Sequence, residues 1–462
     1  MFDPNPTNRR CFLISTAASG LVLVGCKKTD VEPGPAAILN SRRDVPLRVL
    51  LCGNDRWAAT MKTAWAGIAE QPLQINVLDP ATVSAEAWQA KAIEAMNSCE
   101  VAIVPAGLLA AMDNENIIVP FNSDLLGESG LNVDTFFPVL REGLMKHAGR
   151  AIAAPLGALQ PALVIRTDTE DTDFGSPATW DEYIEAIGKV NGDSKDSLAG
   201  EPLADGAAAT MFLWRVNASN PPVWLFDRET LSPVIDSETY VAALETMKRC
   251  VSMYGKERLT AGEVWLRIAT GKLRMAIAWP AVHSKNERIA EATDCQFFPL
   301  PRASEKDSTP VQTLVNYDAP VAVISSHCRQ SEAAKRLITW LVGGEGTSMI
   351  RDAVTGLTEL RGDSEPLSRD GENSPLESRS VDQYRTHLST SLSSLSIRTP
   401  LQLLQYRPYA EALDEAVLSC LDDKQPAQEA LTQAAKTWAE LTEKVGIKSQ
   451  AKAWRKAQGL SG

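Results

Sequence analysis

Histidine is scarce in this chain, and what little there is does not cluster. Of 462 residues only four are histidine, His147, His283, His327 and His387. They are widely spaced, and no Cys-x-x-Cys or His-Glu-x-x-His accompanies them. A metal centre needs ligands at turn or helix spacing, so the pattern offers no recognisable metal site. Nucleotide loops are missing too: Ala269-Thr270-Gly271-Lys272 lacks the upstream glycine of a P-loop. Gly127-Glu128-Ser129-Gly130 is one residue short of a nucleophile elbow. No catalytic constellation emerges, and no cofactor is expected. Basic charge is also in deficit, with 46 Lys and Arg against 58 Asp and Glu and a net charge of −12. Nucleic-acid binding needs a basic stripe, so that partner class is excluded. Beyond the first 26 residues no run is apolar enough to span a bilayer.

What is present begins with RRCFLISTAASGLVLVGCKK at residues 9–28. Two arginines precede fifteen uncharged residues, too few for a comfortable membrane span. A basic start, a short apolar stretch and small residues before a cut site describe a secretory signal. Arg9-Arg10-Cys11-Phe12-Leu13 resembles a twin-arginine export signal. Leu23-Val24-Gly25-Cys26 resembles the lipobox of bacterial lipoproteins, whose processing leaves a lipidated cysteine, here Cys26, at the new N-terminus. A buried core helix is the plain alternative, but the flanking charges and the Pro/Gly/Asp linker at 29–35 do not suit it. Residues 1–25 are therefore read as a signal peptide and 26–44 as a linker after lipidated Cys26. The expected location is extracytoplasmic, periplasmic or cell-surface, with a lipid anchor in the membrane.

Six further cysteines remain: Cys52, Cys99, Cys250, Cys295, Cys328 and Cys420. Export permits disulfides, but six cysteines allow 15 pairings and sequence does not choose among them. A Cys52–Cys99 bridge is conceivable, and free buried thiols are an equal reading.

The length suggests two or three domains. Val45–Cys52, Leu73–Leu78 and Glu100–Val104 read as strands, alternating with helices at Trp57–Glu70 and Ser84–Asn97; this alternation predicts a parallel sheet covered by helices. A helix is predicted near Asp134–His147, followed by strands at Ala151–Pro155 and Pro161–Arg166. Thr179-Trp180-Asp181-Glu182 is a capping box opening a helical block that runs to Thr270. Strands are predicted at Arg274–Trp279, Gln296–Leu300 and Pro320–Ser325, and helices at Ser331–Val342, Tyr409–Leu421 and Pro426–Val445. Asp363–Ser396, rich in Ser and charge, reads as an exposed excursion. Interleaved blocks of this kind predict two hinged lobes that trap a ligand between them.

In this order the segments resemble the solute-binding proteins of bacterial ABC importers, the large family that includes maltose-binding protein. The resemblance rests on Glu100–Leu109 (EVAIVPAGLL), Arg150–Asp168, Pro177–Ile187 (PATWDEYIEAI), Thr270–Trp279 (TGKLRMAIAW), Phe297–Arg302 (FFPLPR) and Ser331–Leu341 (SEAAKRLITWL). It implies an α/β, two-lobed periplasmic-binding-protein-like fold of type II, each lobe a mixed sheet flanked by helices. The first lobe is placed at 45–155 and 276–318, the second at 156–275 and 319–462. It also implies a small-molecule ligand, most naturally a carbohydrate, delivered to the transmembrane subunits of an ABC permease by a monomeric chain that breaks no bond. The chain departs from the maltose binders at Asn54-Asp55-Arg56-Trp57, which lacks their sugar-holding lysine.

Tryptophan is the aromatic in excess, with eleven residues against seven tyrosines and ten phenylalanines. Indole faces stack on sugar rings, while Asp, Asn and Arg hold hydroxyls. Trp65, Trp88, Trp265, Trp340 and Trp438 sit on apolar helix faces and are read as core, and Trp180 as structural. Where the resemblance puts ligand, the candidates are Asn54, Asp55 and Trp57 at the first strand's exit, against the plain reading of a helix cap. Trp214 lies in a helix similar to the family's second-lobe aromatic helix. Trp279, Pro280 and His283 follow a strand after which the family commonly offers an aromatic to sugar. Tyr317 and Asp318 precede a crossing strand, Tyr406 and Tyr409 open a late helix, and Arg361 ends a loop. Two other classes stay open: an exported carbohydrate-active enzyme, which needs two carboxylates about 5–10 Å apart, and a sensor or scaffold lipoprotein that has kept the binding fold. A polyamine or metal chelate is a further ligand class.

Overall fold

The computed structural model describes residues 44–167, 175–204, 206–280, 293–304, 313–353, 357–362 and 377–460. The first sheet grows from the predicted strand–helix alternation. Strands β1 (Leu47–Cys52), β2 (Leu73–Leu78) and β3 (Val101–Pro105) run parallel, with Leu47 opposite Leu73 and Val49 opposite Val101. Such a sheet is covered on both faces, which is why β1 and β3 are near-continuous apolar runs. Helices α1 (Asp55–Ala66) and α2 (Ala85–Met96) bury Trp57, Met61, Trp65, Trp88 and Met96 against it. Short helices α3 (Leu109–Asn114), α4 (Ser123–Leu126) and α5 (Pro138–Leu140) follow. The helix expected over 134–147 is broken. Pro138 and a π-turn at Arg141–Met145 interrupt it, and a hairpin of β4 (Lys146–His147) and β5 (Arg150–Ala151) turns at Ala148 and Gly149, both left-handed.

From β6 (Ala154–Pro155) the chain passes to β7 (Ala162–Arg166), which starts a second sheet with β8 (Ala199–Gly200), β9 (Met275–Ala278) and β10 (Cys295–Phe298) in the order β10-β7-β9-β8. Helices α6 (Trp180–Asn191), α7 (Ala207–Ala218), α8 (Glu238–Val251) and α9 (Ala261–Ala269) belong to this half. The capping box at Thr179 and Glu182 forms as predicted. A small pair, β11 (Thr313–Leu314) with β13 (Ile397–Arg398), stands apart. β12 (Pro320–Ile324) returns to the first sheet, antiparallel to β3 and β6, giving the order β2-β1-β3-β12-β6. Helices α10 (Ser331–Leu341), α11 (Gly344–Ala353), α12 (Ser378–Leu392), α13 (Tyr406–Leu421), α14 (Ala427–Val445) and α15 (Ile447–Ala457) complete the chain. Among the described residues no helix is long and apolar enough to cross a membrane.

The architecture is the expected mixed α/β one with two principal sheets, but the structure redraws the division between them. β9 and β10, read as part of the first half at 276–318, pair with β7 in the second sheet. β12, read as part of the second half, lies in the first. Composition marks a strand, whereas its partner is chosen by long-range pairing. The supposed excursion at 363–396 contains α12, whose Tyr384, Leu388 and Leu392 are buried. No bridge joins Cys52 to Cys99, and none of the six described cysteines is in a disulfide.

Candidate functional site

Strand directions decide which loops meet. β1, β3 and β6 end at one edge of the first sheet. β12 runs the other way and begins there, with Pro320 opposite Pro105. Gly53-Asn54, Ala106-Gly107 and Tyr317-Asp318 therefore share that edge. The chain leaves it through 156–161 to enter β7. β9 is antiparallel to β7 with Ala278 opposite Ala162, so Trp279 and Pro280 emerge where the crossing enters. The predicted segments around 54, 279 and 317 thus converge on the boundary between the sheets. The crossing is held by Leu357–Thr358: Thr358 N–H donates to the Ala158 carbonyl at 2.9 Å and its hydroxyl accepts from Ala158 N–H at 3.2 Å. Gly157, with φ +123°, lies so close that a Cβ would stand 2.9 Å from the Leu357 Cβ.

Tyr317, Asp318 and Tyr406 form the centre. The Tyr406 hydroxyl donates to Asp318 Oδ1 at 3.2 Å, and the two tyrosine rings lie 5.8 Å apart at 56°. Asp318 is open to water, yet enclosing protein pushes its carboxyl up to about 6, against the opposing pull of Tyr406 and Arg407. Burial pushes the Tyr317 phenol up as well, and its hydrogen bond is to Thr210 in α7. Asp414 on α13 accepts from the Ala209 amide at 2.8 Å, tying α13 to the start of α7. Arg407 is engaged elsewhere: it donates to the Pro80 carbonyl at 2.8 Å, approaches Glu411 at 3.3 Å and lies over the Trp88 ring at 4.9 Å. An exposed carboxylate thus sits beside the Tyr406 hydroxyl at the sheet edge, an arrangement able to accept from hydroxyl groups.

The other predicted residues divide. Asn54 is the N-cap of α1, accepting from Trp57 N–H at 2.9 Å, while Asp55 is exposed in the first turn. Trp57 and Trp279 are each only 4% exposed, and among the described residues neither indole N–H has a hydrogen-bond partner. Trp214 is buried in α7 and Pro280 is half-buried. Two residues fall away from the centre. Tyr409 is core: its hydroxyl meets Thr442 at 3.0 Å and accepts from Gln450 at 2.9 Å, three residues and nearly one turn past Tyr406 on the packed face of α13. Arg361 is a brace, donating to Thr135 Oγ1 and to the Leu131 and Val342 carbonyls at 2.7–2.8 Å, with its guanidinium 4.5 Å from the Phe136 ring centre. His283 and Cys26 lie outside the described residues.

Sequence reasoning missed Thr210, Gly107 and Arg407. Gly107 carried a signal, a glycine two residues past a buried strand, whereas the other two carried none. Two open hollows, of about 550 and 520 Å³, lie elsewhere and are lined by none of the predicted residues. Among the described residues no cluster of His, Cys, Asp and Glu could hold a metal.

No curated protein sequence matches the chain. Among the solved structures that share its fold, three each overlap 86% of this chain and 98–99% of their own. They are an ABC transporter solute-binding protein from Agrobacterium radiobacter K84 with ribitol (TM-score 0.63, 16% identity), maltose-bound MalE3 of T. maritima (0.59, 17%) and a cyclo/maltodextrin-binding protein with maltotetraose (0.57, 15%). Residues 78–347, more than half the chain, match the family model of the bacterial extracellular solute-binding proteins. The chain belongs to that family, whose members are exported binding proteins of the ABC-transporter type and not enzymes.

Proposed function

We propose that this protein is the lipid-tethered receptor of an ABC importer, closing two lobes over a carbohydrate and handing it to the permease. The lobes follow the two sheets, hinged at 156–161 and 357–358. The observation that carries the reading is Asp318: an exposed carboxylate at the shared edge, bonded by Tyr406 from the helical half. Such an acceptor takes two sugar hydroxyls, and Tyr317 and Tyr406 supply polar edges on either side. Trp57 and Trp279, at the exits of β1 and β9, are the stacking faces, and their cover requires the lobes to part before sugar enters. The ribitol, maltose and maltotetraose held by proteins of this fold support a polyhydroxylated solute.

The test is a thermal-shift screen of the mature chain against ribitol, maltose, maltotetraose and common monosaccharides. A solute bound only by the native state raises the melting point, by the equivalent of about 2.7 kcal/mol at a hundred times Kd. A flat response across the panel defeats the carbohydrate assignment. For the anchor, Cys26→Ser is expected to release the full chain from the membrane fraction, and retention there refutes lipidation at that cysteine.

A further inference from the structure

Gly107 lies between the Tyr406 ring and the Tyr317–Ala319 loop that carries Asp318. Its amide donates to the Tyr317 carbonyl at 2.8 Å, and the preceding Ala106 amide donates to the Ala319 carbonyl at 2.9 Å, so the loop carrying Asp318 hangs on this turn after β3. On its other side the bare α-carbon receives the Tyr406 ring. A Cβ placed there would stand 2.6 Å from Cδ2 and Cγ and 2.8 Å from Cδ1 of that ring. No left-handed backbone angle is involved, so the objection to a larger residue is the ring alone. Tyr406 has little freedom to yield, because Gln405 N–H is bonded to Gln89 and Arg407 to the Pro80 carbonyl.

We propose that Gly107 is the positioning residue of the solute site, setting Tyr406 flat on the sheet edge and thereby aiming its hydroxyl at Asp318. The inference rests on the reading of Asp318 as the solute acceptor. One methyl group at residue 107 lifts the ring, parts the 3.2 Å hydrogen bond and changes the acceptor's surroundings. A glycine that served only to pack would cost stability and leave Asp318 as it was.

The experiment follows the Asp318 carboxyl by 13C NMR across pH in the mature chain without added solute, for wild type, Gly107→Ala, Tyr406→Phe and the double variant. The two single variants and the double variant are expected to share one titration midpoint, displaced from wild type. A wild-type midpoint in Gly107→Ala, or additive displacements, overturns the inference. If Gly107→Ala does not fold, it is placed in a Tyr406→Ala chain, where the space returns; recovery of folding supports the contact and failure to recover refutes it. In parallel, affinity for maltotetraose and ribitol is expected to fall roughly tenfold in each single variant and no further in the double, the worth of one hydrogen bond to a charged group. Wild-type chain that binds neither sugar counts against the carbohydrate reading, while the solute-free titration still decides for or against Gly107.

Discussion

Arg215 and Glu201 meet at 2.7 Å with side chains only 1% and 0% exposed, an ion pair sealed inside the second half of the molecule. The Arg215 guanidinium also lies 4.5 Å from the Trp180 ring centre. Burial raises the Glu201 carboxyl, with Arg215 opposing, while Glu201 holds the Arg215 guanidinium above its usual value against the effect of burial. Because Arg215 is in α7, the pair fixes the helix that presents Thr210 to Tyr317. Arg215→Met leaves a buried carboxylate without its partner and is expected to cost about 3–5 kcal/mol, whereas Arg215→Met with Glu201→Leu recovers most of that. Urea unfolding of the two variants decides; equal losses would contradict it.

Asp318 predicts a pH dependence with opposite consequences for stability and binding. Its carboxyl is raised from 3.8 to about 6, so the native state holds the proton more tightly than the unfolded chain. The associated stability is present below pH 3.8 and is lost as pH rises through 6. Solute hydroxyls prefer the ionised acceptor, so sugar affinity is expected to climb over the same interval. Asp318→Asn should raise the melting point at pH 7 while flattening the affinity profile. Calorimetry from pH 5 to 8 reads both, and an unchanged profile in the variant removes Asp318 from the site.

His147 works in the other direction. Burial lowers its pKa from 6.5 to about 4, against the attraction of Asp113 3.7 Å away, while Lys456 and Arg150 press it lower still. The native chain therefore excludes a proton that the unfolded chain accepts. Stability present above pH 6.5 is lost as pH falls toward 4, up to roughly 3 kcal/mol. His147→Gln is expected to flatten that part of the stability curve. An equal slope in variant and wild type would assign the acid sensitivity elsewhere.

Tyr409 and Arg361 test the division between binding and framework. Tyr409→Phe deprives Thr442 and Gln450 of a buried partner and is expected to cost about 1–2 kcal/mol. Arg361→Ala releases three bonds to the 131–135 loop and the end of α10, with a similar loss. Sugar affinity of the folded protein should be unchanged in both, as measured by titration calorimetry. A tenfold weakening in either would return that residue to the site.

Local chemistry was legible without coordinates. The apolar runs of β1 and β3, the Thr179–Glu182 capping box and the indole faces of Trp65, Trp88 and Trp438 all act within a few residues, where period and cap geometry suffice. Those signals, in that order, were enough for the α/β class and the family resemblance. They also singled out Asp318 and Tyr406, though not that one bonds the other. What only the tertiary structure decided was partnership. Pairing of β9 with β7, the return of β12 beside β3 and the seat of Tyr406 on Gly107 join residues from about 110 to 300 positions apart. No local pattern encodes such a choice, because it is made by the fit of whole surfaces once the elements already exist. Tyr406 and Tyr409 show the difference: two tyrosines less than one helical turn apart, nearly alike in sequence context, are sent by the packing of α13 to Asp318 at the sheet edge and to Thr442 in the core.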